Sequence, residues 1–313
     1  MTPVIGDTEG RSLIMSTTKT PHRIAIIGVG RIGSALAFQL ARAGHTVTVM
    51  ARPGSVRLQQ LRRDGGIVST DGERAAVTVN DRLDEDTPFD LVIVTLLAHQ
   101  IEPLIPVLAR SQARSVHLMF VTPEAERLTA EIGAGRVSFG LAAVLATLDD
   151  DGKLGLNIPK TKAAQGDQRW VDLFQEAGMP ARLEEHMGRW LRYQAPLTVA
   201  MESVAVTGMT HPRGATWSEA AAGARGLRAG YAIYRENGET PYPVSKNRLS
   251  GAPLPMLTFV LWSVSRGRYR ETVGNSAEEC RGLADLLIAQ GGPASSASVN
   301  AIRVLRPAED IAV

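Results

Sequence analysis

The chain has 313 residues and 33.5 kDa, 44% of them hydrophobic and 21% charged. That is apolar mass enough for a sizeable core and too much chain for one small domain, so two domains are expected. With 34 Lys and Arg against 32 Asp and Glu the formal charge is +2, and the basic residues are scattered, which argues against a nucleic-acid or anionic-membrane partner and for a small molecule.

The single cysteine, Cys280, excludes an internal disulfide framework and a cysteine-built zinc cluster, and fits a reducing cytoplasm. His186 and His211 are isolated and no H-x-x-H or HExxH spacing occurs, so no metal site is expected. No Gly-x-Ser-x-Gly marks a hydrolase nucleophile. The longest apolar runs, such as Leu254 to Val264, fall short of the roughly 20 residues a membrane helix needs. Residues 1–20 read as a loose tail, without the basic start and apolar stretch of a signal peptide.

The first folded element is expected at His22 to Gly28, an isoleucine-rich run that stops at glycine as a buried parallel strand does. Ile32, Ala35, Leu36, Leu40 and Ala43 then lie near a helical stripe that Gly44 ends. Thr46 to Ala51 reads as a second strand by its β-branched residues. A short polar helix follows at Arg57 to Arg63, then irregular chain or short strands around Asp71 and Gly72. Asp90 to Leu96 is a strong strand, followed by a helix over Gln100 to Ala109 and a strand over Ser115 to Val121. This alternation predicts an α/β fold, a parallel sheet with helices on its faces.

Val137 to Thr147 and Lys153 to Ile158 read as strands flanking a turn at Asp150 to Gly152. Helices are expected at Asp167 to Ala177, Leu183 to Glu202, Ser218 to Asn237, Pro255 to Ser265 and Ser276 to Gln290. The expected division is a dinucleotide-binding domain over 21–162 and a helical substrate or dimerisation domain over 163–313; a homodimer is left open. Thr240 to Pro255 carries four prolines and reads as an ordered loop or a lid, in which Lys246 and Arg248 either meet an anion or face solvent.

Gly28-Val29-Gly30-Arg31-Ile32-Gly33 matches G-x-G-x-x-G between a strand and a helix. In a mononucleotide-binding unit the first glycine permits the tight turn, the second lets the backbone approach a pyrophosphate, and the third lets helix pack on strand. The N–H groups and positive dipole at the helix start then hold phosphate. An NAD site places Asp or Glu about 20 residues past the glycines, whereas this chain has Met50, Ala51, Arg52, Pro53 and no acid between Gly33 and Asp64. Arg52 suits a 2′-phosphate, so NADP(H) is the expected cofactor. Arg57 either assists or lies on a solvated helix face.

The chain resembles the ketopantoate reductase family. The resemblance rests on IAIIGVGRIGSALAFQLARAGHTVTVMAR, on VTLLAHQ from Val94 to Gln100, on Leu141 to Asn157, on WVDLFQEAGMPARLEEHMGRWLRYQ from Trp170 to Gln194, and on LIAQGG near Gly291. It implies a Rossmann-like domain followed by a helical one, and reduction of a ketone by NADPH. It also implies cofactor contacts from Leu96, Leu97 and Gln100 in addition to the glycine loop and Arg52.

The family's polar site carries over poorly. Leu97 stands where the family has a lysine, and Phe120 to Pro123 where it usually has Asn-Gly. The family's central helix carries a lysine as general acid and an asparagine one turn later. Those positions fall on Gln194 and Thr198, or, anchored on Trp190, on Arg192 and Pro196. Pro196 breaks or starts a helix there. The family's late glutamate falls near Asn275, with Glu271 and Glu278 as neighbours. Gln194, Thr198 and Asn275 are therefore the candidate substrate-side residues. Tyr193 is either a proton donor or a core residue, Arg192 either a carboxylate ligand or a surface group, and His99 either a ligand or a plain loop residue.

A neutral Gln194 can donate a hydrogen bond to a developing oxyanion but cannot give up a proton. The leading expectation is an NADPH-dependent oxidoreductase acting on a carbonyl or imine other than ketopantoate. Two alternatives stay open: an isomerase or cyclase that keeps the fold without redox work, and a non-catalytic NADP-binding sensor.

Overall fold

A computed structural model describes residues 20–267, 270, 277–292 and 295–309. The first strands follow from sequence: β1 (Arg23–Ile27) and β2 (Thr46–Met50) each expose their first residue and bury the next four. Between them α1 (Arg31–Arg42) buries Leu36, Phe38 and Leu40. Gly44, at φ 92°, turns the chain out of that helix. α2 (Val56–Asp64) is capped by the Ser55 side chain and leads to the short strands β3 (Ile67–Val68), β4 (Arg74–Ala75) and β5 (Thr78–Asn80).

The strand expected from Asp90 is β6 (Leu91–Val94), buried throughout. The helix expected over Gln100 to Ala109 is shorter. Two 3₁₀ turns, Ala98–Gln100 and Glu102–Leu104, precede α3 (Ile105–Arg110), because Pro103 and Pro106 are tolerated only in first turns. β7 (Val116–Leu118), α4 (Ala125–Ile132) and β8 (Val137–Leu141) follow, then β9 (Leu145–Leu148) and β10 (Leu154–Asn157), an antiparallel hairpin pairing Leu148 with Leu154.

The sheet does not stop at residue 162. β11 (Ala163–Gln165), α5 (Gln168–Glu176) and β12 (Ala181–Leu183) add two edge strands, giving the eight-stranded order β12-β11-β8-β7-β6-β1-β2-β5. All neighbours are parallel except β8 and β11. The boundary expected between 162 and 163 thus falls inside the sheet, which runs on to Leu183.

After the sheet the chain is helical: α6 (Met187–Arg192), α7 (Ala195–Met209), α8 (Trp217–Glu236), α9 (Val244–Ser250), α10 (Leu254–Val264), α11 (Ala277–Ala289) and α12 (Ser296–Arg303). The single helix expected over Leu183 to Glu202 is divided into β12, α6 and α7. Pro196 sits in the first turn of α7, where its missing N–H has no helical partner to lose. α8 starts with a capping box of Thr216 and Glu219. No helix among the described residues is long and apolar enough to cross a membrane.

Alternation along the strands divides the core in two. Ile24, Ile26, Val47, Val49, Leu91 and Ile93 pack with α1 and α5 on one face. Ala25, Ile27, Val92, Val94, Val116 and Leu118 share the other cluster with α3, α4 and the helical part, through to Leu283 and Ile302. The helical layer is therefore anchored on one face of the sheet by continuous apolar packing. The chain order on either side of β1 reverses, to β2 one way and β6 the other, so the crevice beyond Ile27 and Val94 is the topological switch point where open α/β sheets bind ligands.

Candidate active site

The glycine loop lies at that crevice, and its three glycines differ in what surrounds them. Gly28 has φ +93°, and a Cβ there would lie 2.7 Å from Leu96 Cδ2. At Gly33 a Cβ would lie 1.9 Å from the Gly28 carbonyl oxygen and 2.6 Å from Thr95 Oγ1, so only glycine lets α1 approach β1 this closely. At Gly30 a Cβ would meet nothing within 4 Å. Gly30 is also the N-cap of α1, with no side-chain cap and no acid in the first turn. The helix start therefore faces open space with its positive end, which fits an incoming diphosphate.

Three side chains brace the loop from behind. Thr95 Oγ1 donates to Gly28 O at 2.5 Å, and Ser34 Oγ to Val29 O at 3.2 Å. Arg57 Nε donates to Val29 O at 3.1 Å, while its terminal nitrogens donate to Gly152 O at 2.7 Å and Ser34 Oγ at 2.9 Å. Desolvation lowers the Arg57 guanidinium below its ordinary value. Arg57 thus joins α2, the loop and the β9–β10 hairpin, a structural part that its place in the sequence did not reveal. Arg57→Met, which keeps the stem and removes these bonds, is expected to cost about 3 kcal/mol, since hydrogen bonds to charged groups contribute roughly 1.5–3 kcal/mol each; urea unfolding measures it.

Arg52 follows β2 and is exposed at the mouth of the crevice, where its charge acts on Glu278 of α11. Leu96 and Leu97 follow β6, and Leu97 precedes the 3₁₀ turn that carries His99 and Gln100. Gln100 Nε2 donates to Glu278 Oε1 at 3.0 Å, and His99 Nε2 lies 3.2 Å from the same oxygen. These two bonds, first that of His99, hold the Glu278 carboxyl below its ordinary range. The His99 ring is seated over Gly282, whose Cβ would lie 2.0 Å from Nδ1. His99 and Gln100 therefore tie the sheet's crevice to α11.

Gln194 and Thr198 come together on the first turns of α7, with Gln194 Nε2 donating to Thr198 Oγ1 at 3.4 Å, and both half-buried. Asn275 and Glu271 lie outside the described residues. Tyr193 is a core residue, 1% exposed, whose hydroxyl donates to Glu239 Oε2 at 2.7 Å. Burial, reinforced by Glu239, pushes its phenol up to about 12. Arg192 pairs with Glu126 at 2.9 Å and Glu239 at 2.8 Å, so it joins α4 to the chain after α8.

In the proline-rich segment, Lys246 is buried on α9 rather than presented to solvent. Its Nζ donates to Trp190 O at 2.7 Å and stands 3.6 Å from that ring's centroid, and burial lowers it to about 7. Arg248 is exposed. His186 packs edge-on against Tyr242, and His211 Nε2 lies 3.0 Å from Glu219. The described residues contain no group of three or more His, Cys, Asp or Glu arranged to hold a metal.

One acid in this region escaped the sequence reading. Glu202, two turns beyond Gln194 on the same helix, is 4% exposed, and its Oε2 has no hydrogen-bond partner. The signal was available: it is the one charged residue in APLTVAMESVAVTGM.

Comparison with known proteins agrees with this architecture. Solved structures with the same fold include D-mandelate dehydrogenase in complex with NADH, at 14% identity and TM-score 0.68, covering 90% of this chain and 96% of that one. A PanE/ApbA family ketopantoate reductase from Ralstonia eutropha JMP134 is 18% identical with TM-score 0.68, covering 91% and 96%. A probable 2-dehydropantoate 2-reductase from Bacillus subtilis is 18% identical with TM-score 0.60, covering 90% and 99%. A search of curated proteins finds no match. The family model for ketopantoate reductase PanE/ApbA matches residues 24–164. The matched stretch runs from β1 to β11 of the sheet, a little under half of the chain.

Proposed function

We propose that the protein is an NADPH-dependent oxidoreductase that reduces the carbonyl or imine of a small molecule other than ketopantoate. The observation that carries this reading is the open space over Gly30, at the switch point, beside two glycines that admit no side chain. Gly28, Val29, Gly30, Arg31, Ile32 and Gly33 would hold the diphosphate and Arg52 the 2′-phosphate, with Leu96, Leu97 and Gln100 along the same crevice. When bound, the nicotinamide supplies hydride; the protein supplies orientation and polarisation.

On the substrate side, Gln194 and Thr198 offer an amide and a hydroxyl on one helix face. Both suit a neutral carbonyl better than a carboxylate. Leu97 and Gln194 stand where the family's lysines would lie, so the cations that would hold a 2-oxo acid are missing from those positions. The Arg192 guanidinium does not replace them, because Glu126 and Glu239 occupy it.

The test is NADPH oxidation measured against a panel of ketones, aldehydes and imines, with ketopantoate included. One mole of NADPH oxidised per mole of product, with ketopantoate left unreduced, supports the reading. Product without NADPH oxidation, or binding of NADPH without any product, would replace it with a non-redox enzyme or a sensor. For Arg52→Ala, NADPH affinity is expected to fall about 10–100-fold and NADH affinity to stay unchanged, because only the 2′-phosphate offers a charge-assisted partner. Equal losses for both coenzymes would contradict the choice of NADP.

A further inference from the structure

Gln194, Thr198 and Glu202 recur every four residues on α7, so they stand one above another on one face of the helix. At 1.5 Å per residue, Glu202 lies about 6 Å beyond Thr198. Its buried Oε2 has no partner. Buried polar atoms in folded proteins are nearly always paired, and the exceptions need a cause such as strain, a ligand or catalysis.

The surroundings point to a ligand. From α11, Glu279 acts directly on Glu202, and the buried Cys280 thiol feels both carboxylates. Glu279 in turn is acted on by Arg31 of the glycine loop and by His99 after β6. At the far end of α7 Arg270 Nη1 donates to Gly208 O at 3.5 Å, and the other contacts on α7 among the described residues include uncharged groups. From α8 these are Gly223 against Val204, Gly230 against Pro196, and Tyr231, whose hydroxyl donates to Tyr193 O at 3.1 Å; Leu261 of α10 packs at Gly223 and Ser265 follows at Gly208. Glu202 therefore shares the Gln194–Thr198 face, and through Glu279 and Arg31 its electrostatic surroundings reach the glycine loop.

Burial pushes the Glu202 carboxyl well above the ordinary carboxylate range, and the charge of Glu279 adds to it. Burial raises Glu279 as well, but Arg31 and His99 oppose that shift. Arg31 and His99 thus act against the shift at Glu279, while burial and Glu279 act on Glu202 in one direction.

We propose that Glu202 is the proton donor of the reduction, the role that the neutral Gln194 cannot fill. The proposal rests on the reductase reading above. The substrate carbon accepts hydride, two electrons and one hydrogen, from the reduced nicotinamide. The C=O π pair moves to oxygen, and that oxygen takes the carboxyl proton of Glu202. The products are the alcohol, the oxidised nicotinamide and the Glu202 carboxylate, which regains a proton from water before the next turnover; an imine follows the same course to an amine.

The test begins on the intact chain without substrate. Infrared spectra of protein labelled with ¹³C-glutamate are expected to show a protonated carboxyl at pH 7 that Glu202→Gln removes, and thermal unfolding shows whether that variant is folded. An ionised Glu202 at pH 7 would overturn the proposal and leave the reductase reading standing. With the first panel compound that the wild type reduces, Glu202→Gln is expected to lose turnover about 100-fold or more, the lower range for general acids, with NADPH affinity unchanged. Wild-type turnover should fall as pH rises through the Glu202 titration. That limb should disappear in Glu202→Gln, and Glu202→Asp, which restores a shorter acid, should recover part of the rate. Wild-type turnover and an unchanged pH limb in Glu202→Gln would overturn the proposal alone. Failure of the wild type to bind NADPH at all would overturn the reductase reading, and the proposal with it.

Discussion

Gly30→Asp is expected to leave the protein folded, with Tm unchanged or slightly raised, while NADPH affinity falls at least about 100-fold, or roughly 2.7 kcal/mol. Both halves follow from the same position. Gly30 is the N-cap of α1 at φ −75°, a conformation open to any residue, and a Cβ there meets nothing within 4 Å. Aspartate is among the strongest N-caps and its charge suits the positive end of the helix. The carboxylate would then occupy the place of the incoming diphosphate and repel it. Thermal unfolding and fluorescence titration with NADPH, run on the same preparation, check the two halves separately. Loss of both stability and affinity would show that the space over Gly30 is structural and not a ligand site.

Gly33→Ala is expected to behave in the opposite way. The added methyl would stand 1.9 Å from the Gly28 carbonyl oxygen and 2.6 Å from Thr95 Oγ1. The first of these is backbone, held in turn by Thr95 at 2.5 Å, so no flexible side chain can give way. α1 must lift from β1, and Leu36 and Leu40, both essentially buried, lose part of their packing. Overpacking of this kind costs about 1–3 kcal/mol, and the backbone clash puts Gly33→Ala at about 3 kcal/mol or more. For a chain of this size that is a fall in Tm of roughly 5 °C. An unchanged Tm would mean that helix and strand are not in close contact.

The parts of the fold that were legible in sequence are those in which a local pattern and the tertiary packing agree. β1, α1, β2 and β6 combine apolar runs, a helical stripe and terminating glycines, and each forms within a residue or two of its expected place. β11 and β12 carried no such signal. Ala163–Gln165 and Ala181–Leu183 are three residues each, and they become strands only because β8 offers an edge and α5 brings the second beside the first. The expected long helix from Leu183 failed at Pro196, whose effect was recognised but whose first-turn position depends on where α6 ends.

The candidate site shows the same division. The tight packing of the glycine loop was readable because Gly28 and Gly33 answer local steric demands, a positive φ and a close helix–strand approach. Thr95, Ser34 and Arg57 were not, since their partners, Gly28, Val29 and Gly152, become neighbours only in the folded sheet. Tyr193 and Arg192 were ambiguous for a related reason: Glu239, which engages both, lies some 46 residues away across α7 and α8. Glu202 could have been found from sequence as a single acid in an apolar helix. Its pairing with Glu279 of α11, itself acted on by Arg31, required the structure.

The central claim is that the amides at the start of α1 bind a nicotinamide dinucleotide. Isothermal calorimetry of the wild-type chain against NADPH and NADH tests it without any knowledge of the substrate. The account predicts one site per chain and tighter binding of NADPH. No heat from either coenzyme at millimolar concentration, with the protein shown to be folded, would contradict it.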